Sequence, residues 1–125
     1  MISIVDDDSF VREATKSLLR SVGYGAATFA SAEEFLQSDQ IDATSCLITD
    51  MQMPGLNGVE LQSLLLAQGY RMPMIFVTAS VEEKTRARAL TAGALAFLTK
   101  PFNVERLIEY VHSACTGRSV AILEA

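Results

Sequence analysis

Five short apolar segments, each followed by a stretch of helical periodicity, constrain the fold of this 125-residue chain more than any other feature. Strands that alternate with helices run parallel, and the helices then cover both faces of the sheet. We therefore predict an α/β fold with a doubly wound, five-stranded parallel sheet. The predicted strands are residues 2–5, 24–29, 46–50, 74–77 and 94–98. Residues 1–116 are predicted to form one domain, and 117–125 a short C-terminal tail or the start of a linker.

Capping and stop signals place two of the helices between these strands. Asn57 with Glu60, and Ser80 with Glu83, have the spacing of capping boxes. The core-facing residues are predicted to be Leu61, Leu64 and Leu65 in the first of these helices, and Ala87 and Leu90 in the second. The helix over 82–91 therefore has little apolar surface, and we expect it to be the least firmly packed helix.

The third predicted strand ends in an acid. Asp50 closes the apolar run that begins at Cys46, and Pro54-Gly55 soon supplies strong turn chemistry. Asp50 is thus predicted to lie at the carboxyl end of a buried strand, where open α/β sheets bind their ligands. A carboxylate there is a metal ligand, a nucleophile or a structural carboxylate, and only its neighbours can distinguish these roles.

Other polar side chains are predicted to converge on Asp50 from the neighbouring strands. They are Asp6, Asp7 and Asp8 after the first strand, Thr78 at the end of the fourth, and Thr99 and Lys100 after the fifth. Carboxylates about 4 Å apart repel by about 4 kcal/mol per pair at an effective dielectric constant of roughly 20. Such a cluster raises a pKa or recruits a cation, and a hard cation with few protein ligands indicates Mg²⁺. Lys100 and Thr78 suit the oxygens of a phosphate.

Each of these residues also has a structural explanation. Asp8, with Ser9, can cap the first helix. Thr78 can be a satisfied β-branched residue, Lys100 a solvated loop residue and Phe97 a core side chain. The functional interpretation rests on their joint occurrence at one edge of the sheet.

The composition favours a cytoplasmic protein that does not bind nucleic acid directly. The formal net charge of -5 disfavours contact with a phosphate backbone. No apolar run approaches the ~18 residues that span a bilayer, and no basic segment resembles the start of a signal peptide. Cys46 and Cys115 lack CxxC spacing and are predicted to be core residues, while His112 cannot build a His-rich metal site alone.

Four motifs lie at the ends of the predicted strands. They are Val5-Asp6-Asp7-Asp8, Thr49-Asp50-Met51-Gln52-Met53-Pro54-Gly55 with Gly58, Phe76-Val77-Thr78-Ala79, and Lys100-Pro101-Phe102. In order, spacing and position at strand ends they resemble the receiver domains of two-component response regulators, over residues 1 to about 116. The resemblance implies a flavodoxin-like (βα)5 fold with strand order 2-1-3-4-5. The sequence is most similar to receivers that precede helix-turn-helix DNA-binding domains.

The resemblance implies a role for each residue of the cluster. Asp50 matches the phosphoacceptor, which takes a phosphoryl group from a phosphohistidine of a partner kinase. Lys100 matches the lysine that contacts this group. Asp7, Asp50 and the main-chain carbonyl of Gln52 match the direct ligands of the implied cofactor Mg²⁺, and Asp6 would act mostly through water. The domain would catalyse its own phosphorylation and dephosphorylation without being a conventional enzyme.

The resemblance also implies a conformational switch. Thr78 and Phe97 match the hydroxyl and aromatic switch residues, and we expect the helix over 82–91 to shift on phosphorylation. Gln52 and Ser80 are the positions at which we expect the lifetime of the phosphoryl group to be tuned.

The implied partners are a sensor histidine kinase and a second copy of the chain. The dimer would form through the fourth helix, fifth strand and fifth helix. DNA is expected as a partner only through an output domain that this sequence does not contain, and no membrane contact is expected. A cis peptide bond is expected between Lys100 and Pro101.

Three other functions share parts of the pattern. The main alternative is a receiver-like interaction module that works without phosphorylation and has no need of the complete cluster. A phosphohydrolase with an aspartyl-phosphate would carry a general acid two residues after the nucleophile, but Gln52 does not titrate. A flavin carrier of the same fold would bind phosphate through hydroxyls and backbone N–H groups, whereas the acids at residues 6–8 repel it.

Overall fold

Strands and helices alternate along the residues that the computed structural model describes, which are 1–79 and 82–116. The strands are β1 (Ile2–Val5), β2 (Ala26–Phe29), β3 (Cys46–Asp50), β4 (Met74–Thr78) and β5 (Ala96–Thr99). The helices are α1 (Ser9–Ser21), α2 (Ala32–Gln37), α3 (Gly58–Ala67), α4 (Glu83–Thr91) and α5 (Val104–Thr116).

The sheet is parallel throughout and has the strand order β2-β1-β3-β4-β5, which confirms the predicted fold. The central strand β3 is buried along its whole length. Its register pairs Thr49 with Val5 of β1 and Asp50 with Val77 of β4. The carboxyl ends of β1, β3 and β4 therefore lie at one edge of the sheet, as the convergence of polar residues requires.

Two apolar layers hold the helices against the sheet. The layer under α2, α3 and α4 includes Phe35, Leu61 and Ala89, and the layer under α1 and α5 includes Leu19 and Val111. Helices thus cover both faces, and within residues 1–79 and 82–116 none is long and apolar enough to cross a bilayer.

The buried face of α3 differs from the prediction. Leu61 and Leu65 are buried as expected, but Leu64 is 38% exposed and Gln62 is buried in its place. Gln62 faces α4, because its side-chain amide donates to the carbonyl oxygen of Ala89 at 3.0 Å. Apolar character alone therefore misidentified which residues of α3 point inward.

The helix α4 is packed even more thinly than predicted. Ala87 and Leu90 are exposed, and the buried residue of the helix is Ala89. The helix begins at Glu83 with Glu82 as its N-cap residue, and among residues 1–79 and 82–116 no side chain caps it there. The predicted cap residue, Ser80, lies outside the described residues.

Of the two cysteines predicted to be core residues, one is buried and the other is exposed. Cys46 lies in the core at the start of β3, where burial raises the pKa of its thiol to about 12. Cys115 is exposed near the end of α5, so the prediction that it is a core residue was wrong. In this last part of α5 the buried residues are Val111 and Ser113.

Candidate functional site

Asp50 is the last residue of β3 and is largely buried. Its Oδ1 accepts a hydrogen bond from the N–H of Gln52 at 3.2 Å. The backbone beyond it is fixed on both sides. The N–H of Met51 donates to Val77 at 3.0 Å, and the carbonyl of Met51 accepts from the N–H of Gly58 at 3.0 Å. The phosphoacceptor candidate is thus held by a rigid strand end.

The acids after β1 take different positions. Asp6 is buried, and its Oδ1 accepts from the N–H of Asp8 at 2.9 Å, the same two-residue pattern as at Asp50. Asp7 is exposed. Asp8 caps α1 by accepting from the N–H groups of Phe10 and Val11 at 2.9 and 3.3 Å, which confirms the structural explanation for that residue.

Lys100 joins the two buried carboxylates. Its Nζ donates to Asp6 Oδ2 and to Asp50 Oδ2, at 3.2 Å in each case. The N–H of Lys100 also donates to the carbonyl of Thr78 at 2.7 Å, and the Lys100–Pro101 peptide bond is cis, as expected. Each carboxylate therefore has one oxygen on a backbone N–H and the other on the ammonium group.

Burial and the close approach of these charged groups shift the pKa values of Asp50 and Lys100. Burial raises the pKa of Asp50, and the neighbouring charge of Asp6 raises it further, against the opposing effects of the Gln52 N–H and Lys100. Burial by itself would lower the pKa of Lys100, but the carboxylates of Asp50 and Asp6 outweigh it and the pKa is raised. The ammonium group is therefore charged at neutral pH, while the site as a whole still disfavours the ionised Asp50.

Three carboxylates are close enough to share a cation. One oxygen from each of Asp6, Asp7 and Asp50 lies within 4.8 Å of the others. Carboxylate oxygens are the donors that Mg²⁺ prefers, and the exposure of Asp7 leaves one side open to water, which Mg²⁺ usually retains. The donor set fits Mg²⁺. Gln52 is exposed beside these acids, and the role of its carbonyl as a ligand stays a prediction.

The two predicted switch residues lie on adjacent strands. Thr78 is buried at the end of β4. Phe97, in β5, is half-buried and packs on Phe76 with ring centroids 5.3 Å apart. Ser80, the second predicted lifetime residue, lies outside the described residues.

Two residues near the site were not predicted to take part in it. Arg12 donates to the main-chain carbonyl of Asp6 at 2.7 Å, and Glu33 accepts from the N–H of Leu56 at 3.1 Å. Arg12 lies six residues after Asp6 and Leu56 lies 23 residues after Glu33, so neither contact has the spacing of a helix cap or of a pair within one helix. A topological signal did exist, because the first turns of α1 and α2 follow β1 and β2 and must lie at the same edge of the sheet as Asp50.

An apolar groove of about 550 Å³ opens beside Lys100, between α1 and the start of α5. Phe10 is 82% exposed along it, and Val104 is also exposed. The groove is thus an exposed, largely apolar surface beside Lys100.

Known proteins share both the sequence and the fold. The sequence model of the response regulator receiver domain matches residues 2–112. Nodulation protein W of Bradyrhizobium diazoefficiens is 39% identical over 114 residues, which make up 91% of this chain and 50% of that protein. The response regulator protein TodT of Pseudomonas putida has the same identity and the same two coverages. The chain thus spans about half the length of the curated relatives it matches.

Solved structures of response regulators have the same fold as this chain. The response regulator StyR superposes with a TM-score of 0.87 at 38% identity, covering 94% of this chain and 59% of StyR. A response regulator receiver protein from Pseudoalteromonas atlantica superposes with a TM-score of 0.86 at 30% identity, covering 93% of this chain and 97% of that one. With the family model matching most of its length, the chain belongs to the family of response regulator receiver domains.

Proposed function

We propose that Asp50 accepts a phosphoryl group from a histidine kinase and that its phosphorylation changes the conformation of the domain. The observation that carries this proposal is the pair of 3.2 Å contacts from Lys100 to Asp6 and Asp50. A half-buried ammonium group between two buried carboxylates, with a third acid nearby, supplies the positioning and the charge neutralisation on which phosphoryl transfer depends.

The transfer itself asks little covalent chemistry of the protein. An oxygen of the Asp50 carboxylate forms a bond to phosphorus while the bond from phosphorus to the histidine nitrogen breaks. The nitrogen keeps that electron pair, and Asp50 becomes an acyl phosphate. The transition state is loose, so positioning and charge neutralisation dominate the barrier. Lys100 contributes by exchanging a contact with Asp50 Oδ2 for one with a phosphoryl oxygen.

Asp7, Asp50 and the main-chain carbonyl of Gln52 would hold Mg²⁺, with Asp6 acting through water. Bound there, Mg²⁺ supplies positive charge that offsets the repulsion between the incoming phosphate and the acids. The hard-oxygen donor set within 4.8 Å supports this assignment for Asp6, Asp7 and Asp50.

The kinase is proposed to reach Asp50 over the groove beside Lys100. Its exposed Phe10 and Val104 supply the apolar contact area that a protein donor requires. Because the kinase draws on ATP, we propose a cytoplasmic location.

Phosphorylation is proposed to act through Thr78, Phe97 and α4. The new phosphoryl oxygens attract the Thr78 hydroxyl, and Phe97 then turns inward. The sparse packing of α4 supports its place as the element that moves. A homodimer through α4, β5 and α5, and control of DNA through a separate output domain, are the proposed consequences. Residues 1–116 are taken as the receiver domain and 117–125 as a tail or linker.

Gln52 and Ser80 are proposed to set the lifetime of the acyl phosphate by limiting the approach of water. The exposure of Gln52 beside Asp50 supports its part in this. Replacing both residues should change the decay rate of phosphorylated Asp50, and an unchanged rate would contradict the assignment.

Labelling with acetyl phosphate tests the central proposal. Intact-mass measurement should show one added phosphoryl group in the presence of Mg²⁺ and none in its absence. Asp50→Asn should abolish the addition, whereas Asp42→Asn, at an exposed acid, should leave it intact. Full labelling of Asp50→Asn would overturn the proposal. A wild-type chain that resists labelling would favour the interaction module that works without phosphorylation.

A further inference from the structure

We propose that Glu33 is a positioning residue for the metal site, because its carboxylate holds the loop that follows Asp50. This inference rests on the proposed function. It assigns a role to a residue on α2 that belongs to none of the four motifs and is not one of the three clustered acids.

The contact is specific and crosses between elements. Glu33 is half-buried in the first turn of α2, and its Oε2 accepts a hydrogen bond from the N–H of Leu56 at 3.1 Å. Leu56 belongs to the loop between β3 and α3.

Gly55, the residue before Leu56, leaves the space that the Glu33 carboxylate occupies. Gly55 has a φ of 77°, and a Cβ built on it would lie 2.5 Å from Glu33 Oε2. A larger residue would both strain the backbone and displace the glutamate. Glu33 is therefore seated against two consecutive residues of the loop.

The anchored segment leads directly to the site. At its start, the N–H of Gln52 donates to Asp50 Oδ1, and at its end Asn57 and Glu60 form a capping box. Between these points the Glu33 contact joins the loop to another element of the fold. Without it, residues 53–56 can shift, and the main chain of Gln52 shifts with them.

The adjacent glutamate provides a matched control. Glu34 also accepts a backbone N–H, from Ala30 at 3.2 Å, but this contact stays at the start of α2. Removing Glu34 therefore weakens the helix without releasing the loop. Glu33→Gln provides the second control, since it removes the charge but keeps an oxygen that can accept from Leu56.

The test measures Mg²⁺ affinity of the full chain by NMR titration, together with amide hydrogen exchange in the metal-free protein. Glu33→Ala should weaken Mg²⁺ binding by about 3–10-fold, below the range usual for residues that contact metal ligands directly. The amide of Leu56 should exchange at least about tenfold faster. Glu33→Gln and Glu34→Ala should bind Mg²⁺ within about twofold of the wild type.

Three results would overturn the inference. Glu33→Ala could bind Mg²⁺ as the wild type does, which would leave the loop contact without a role at the site. Glu33→Gln could lose as much affinity as Glu33→Ala, which would assign the effect to charge alone. Glu34→Ala could lose as much, which would assign it to the stability of α2. A wild-type chain that binds no Mg²⁺ would instead overturn the proposed function, and no variant would then differ from it.

Discussion

The side-chain amide of Gln62 on α3 donates a buried hydrogen bond of 3.0 Å to the carbonyl oxygen of Ala89 on α4. Ala89 is also the buried residue of that helix, and its carbonyl accepts from the N–H of Ala94 at 2.9 Å. With the N–H of Gly93 bonded to Leu90, this is a Schellman motif that closes α4. Gln62 thus anchors the C-terminal end of a helix whose N-cap residue, Glu82, makes no capping hydrogen bond through its side chain.

Gln62→Met should loosen α4. The substitution keeps the size of the side chain but removes the donor, and the Ala89 carbonyl keeps its bond from Ala94, so we expect a cost of about 0.5–1.5 kcal/mol. Amides in α4 should then exchange about 2–10-fold faster, while amides of β3 change little. Hydrogen exchange read by mass spectrometry or NMR measures this. Gln68→Met, the same change at an exposed position, should leave α4 unaffected. Equal exchange in both variants would mean that Gln62 does not anchor the helix.

Asp50→Asn should stabilise the fold at neutral pH. Burial and the charge of Asp6 raise the pKa of Asp50, so the folded state disfavours the ionised carboxylate. An amide of the same shape removes that penalty, and we expect a gain of about 0.5–2 kcal/mol in the free energy of unfolding. Urea denaturation measures the gain.

The pH dependence of this gain has a defined sign. A carboxyl whose pKa is raised on folding destabilises the folded state when the pH is above that pKa. This destabilisation decreases as the pH falls through the raised pKa of the folded state. It is absent below the ordinary pKa of 3.8. The advantage of Asp50→Asn should therefore be largest near neutral pH and shrink in acid. A gain that is constant with pH would contradict the electrostatic explanation.

The Lys100→Met variant should bind Mg²⁺ more tightly but should accept a phosphoryl group more slowly. The ammonium group pairs with Asp6 and Asp50, so removing it leaves their charges uncompensated for a cation. We expect a Mg²⁺ dissociation constant about 3–10-fold lower, and a labelling rate about 10²-fold lower because a donor to the phosphoryl group is lost. Lys84→Met, at an exposed site on α4, should change neither. Weaker Mg²⁺ binding in Lys100→Met would show that the lysine supports the metal site rather than opposing it.

Substitution of Asp7 should affect metal binding, whereas substitution of Asp8 should affect stability. Asp7→Ala removes an exposed carboxylate of the cluster, so Mg²⁺ affinity should fall at least about tenfold with little change in stability. Asp8→Ala removes the cap of α1 and should cost about 0.5–2 kcal/mol, with Mg²⁺ affinity unchanged. NMR titration and urea denaturation of both variants measure the two effects. Unchanged Mg²⁺ affinity in Asp7→Ala would move the metal elsewhere.

Local signals predicted most of the fold, and contacts between elements account for what was missed. Asp50 was predicted at a strand end because the turn residues Pro54 and Gly55 follow it within five positions of the sequence. Leu64 was misassigned because the inward face of α3 depends on where α4 packs, which the sequence of α3 does not report. Glu33 and Gln62 were missed for the same reason, since each contacts a residue more than 20 positions away.

Gly58→Ala should displace Asp50. A Cβ at Gly58 would lie 2.9 Å from the carbonyl oxygen of Asp50 and 3.0 Å from the ring of Phe76. Alanine favours a helix by up to about 1 kcal/mol over glycine. Overpacking costs about 1–3 kcal/mol, so we expect the balance to be destabilising.

The rate of labelling by acetyl phosphate should fall about tenfold or more in Gly58→Ala, because misplacing a reacting group slows the reaction steeply. Gly25→Ala is the matched control, since a Cβ there meets no atom within 4 Å and its φ is not positive. Urea denaturation and the labelling rate should both separate the two variants. If Gly58→Ala is as stable and as readily labelled as Gly25→Ala, the backbone of Asp50 has room to adjust, and close packing against α3 does not position the proposed phosphoacceptor.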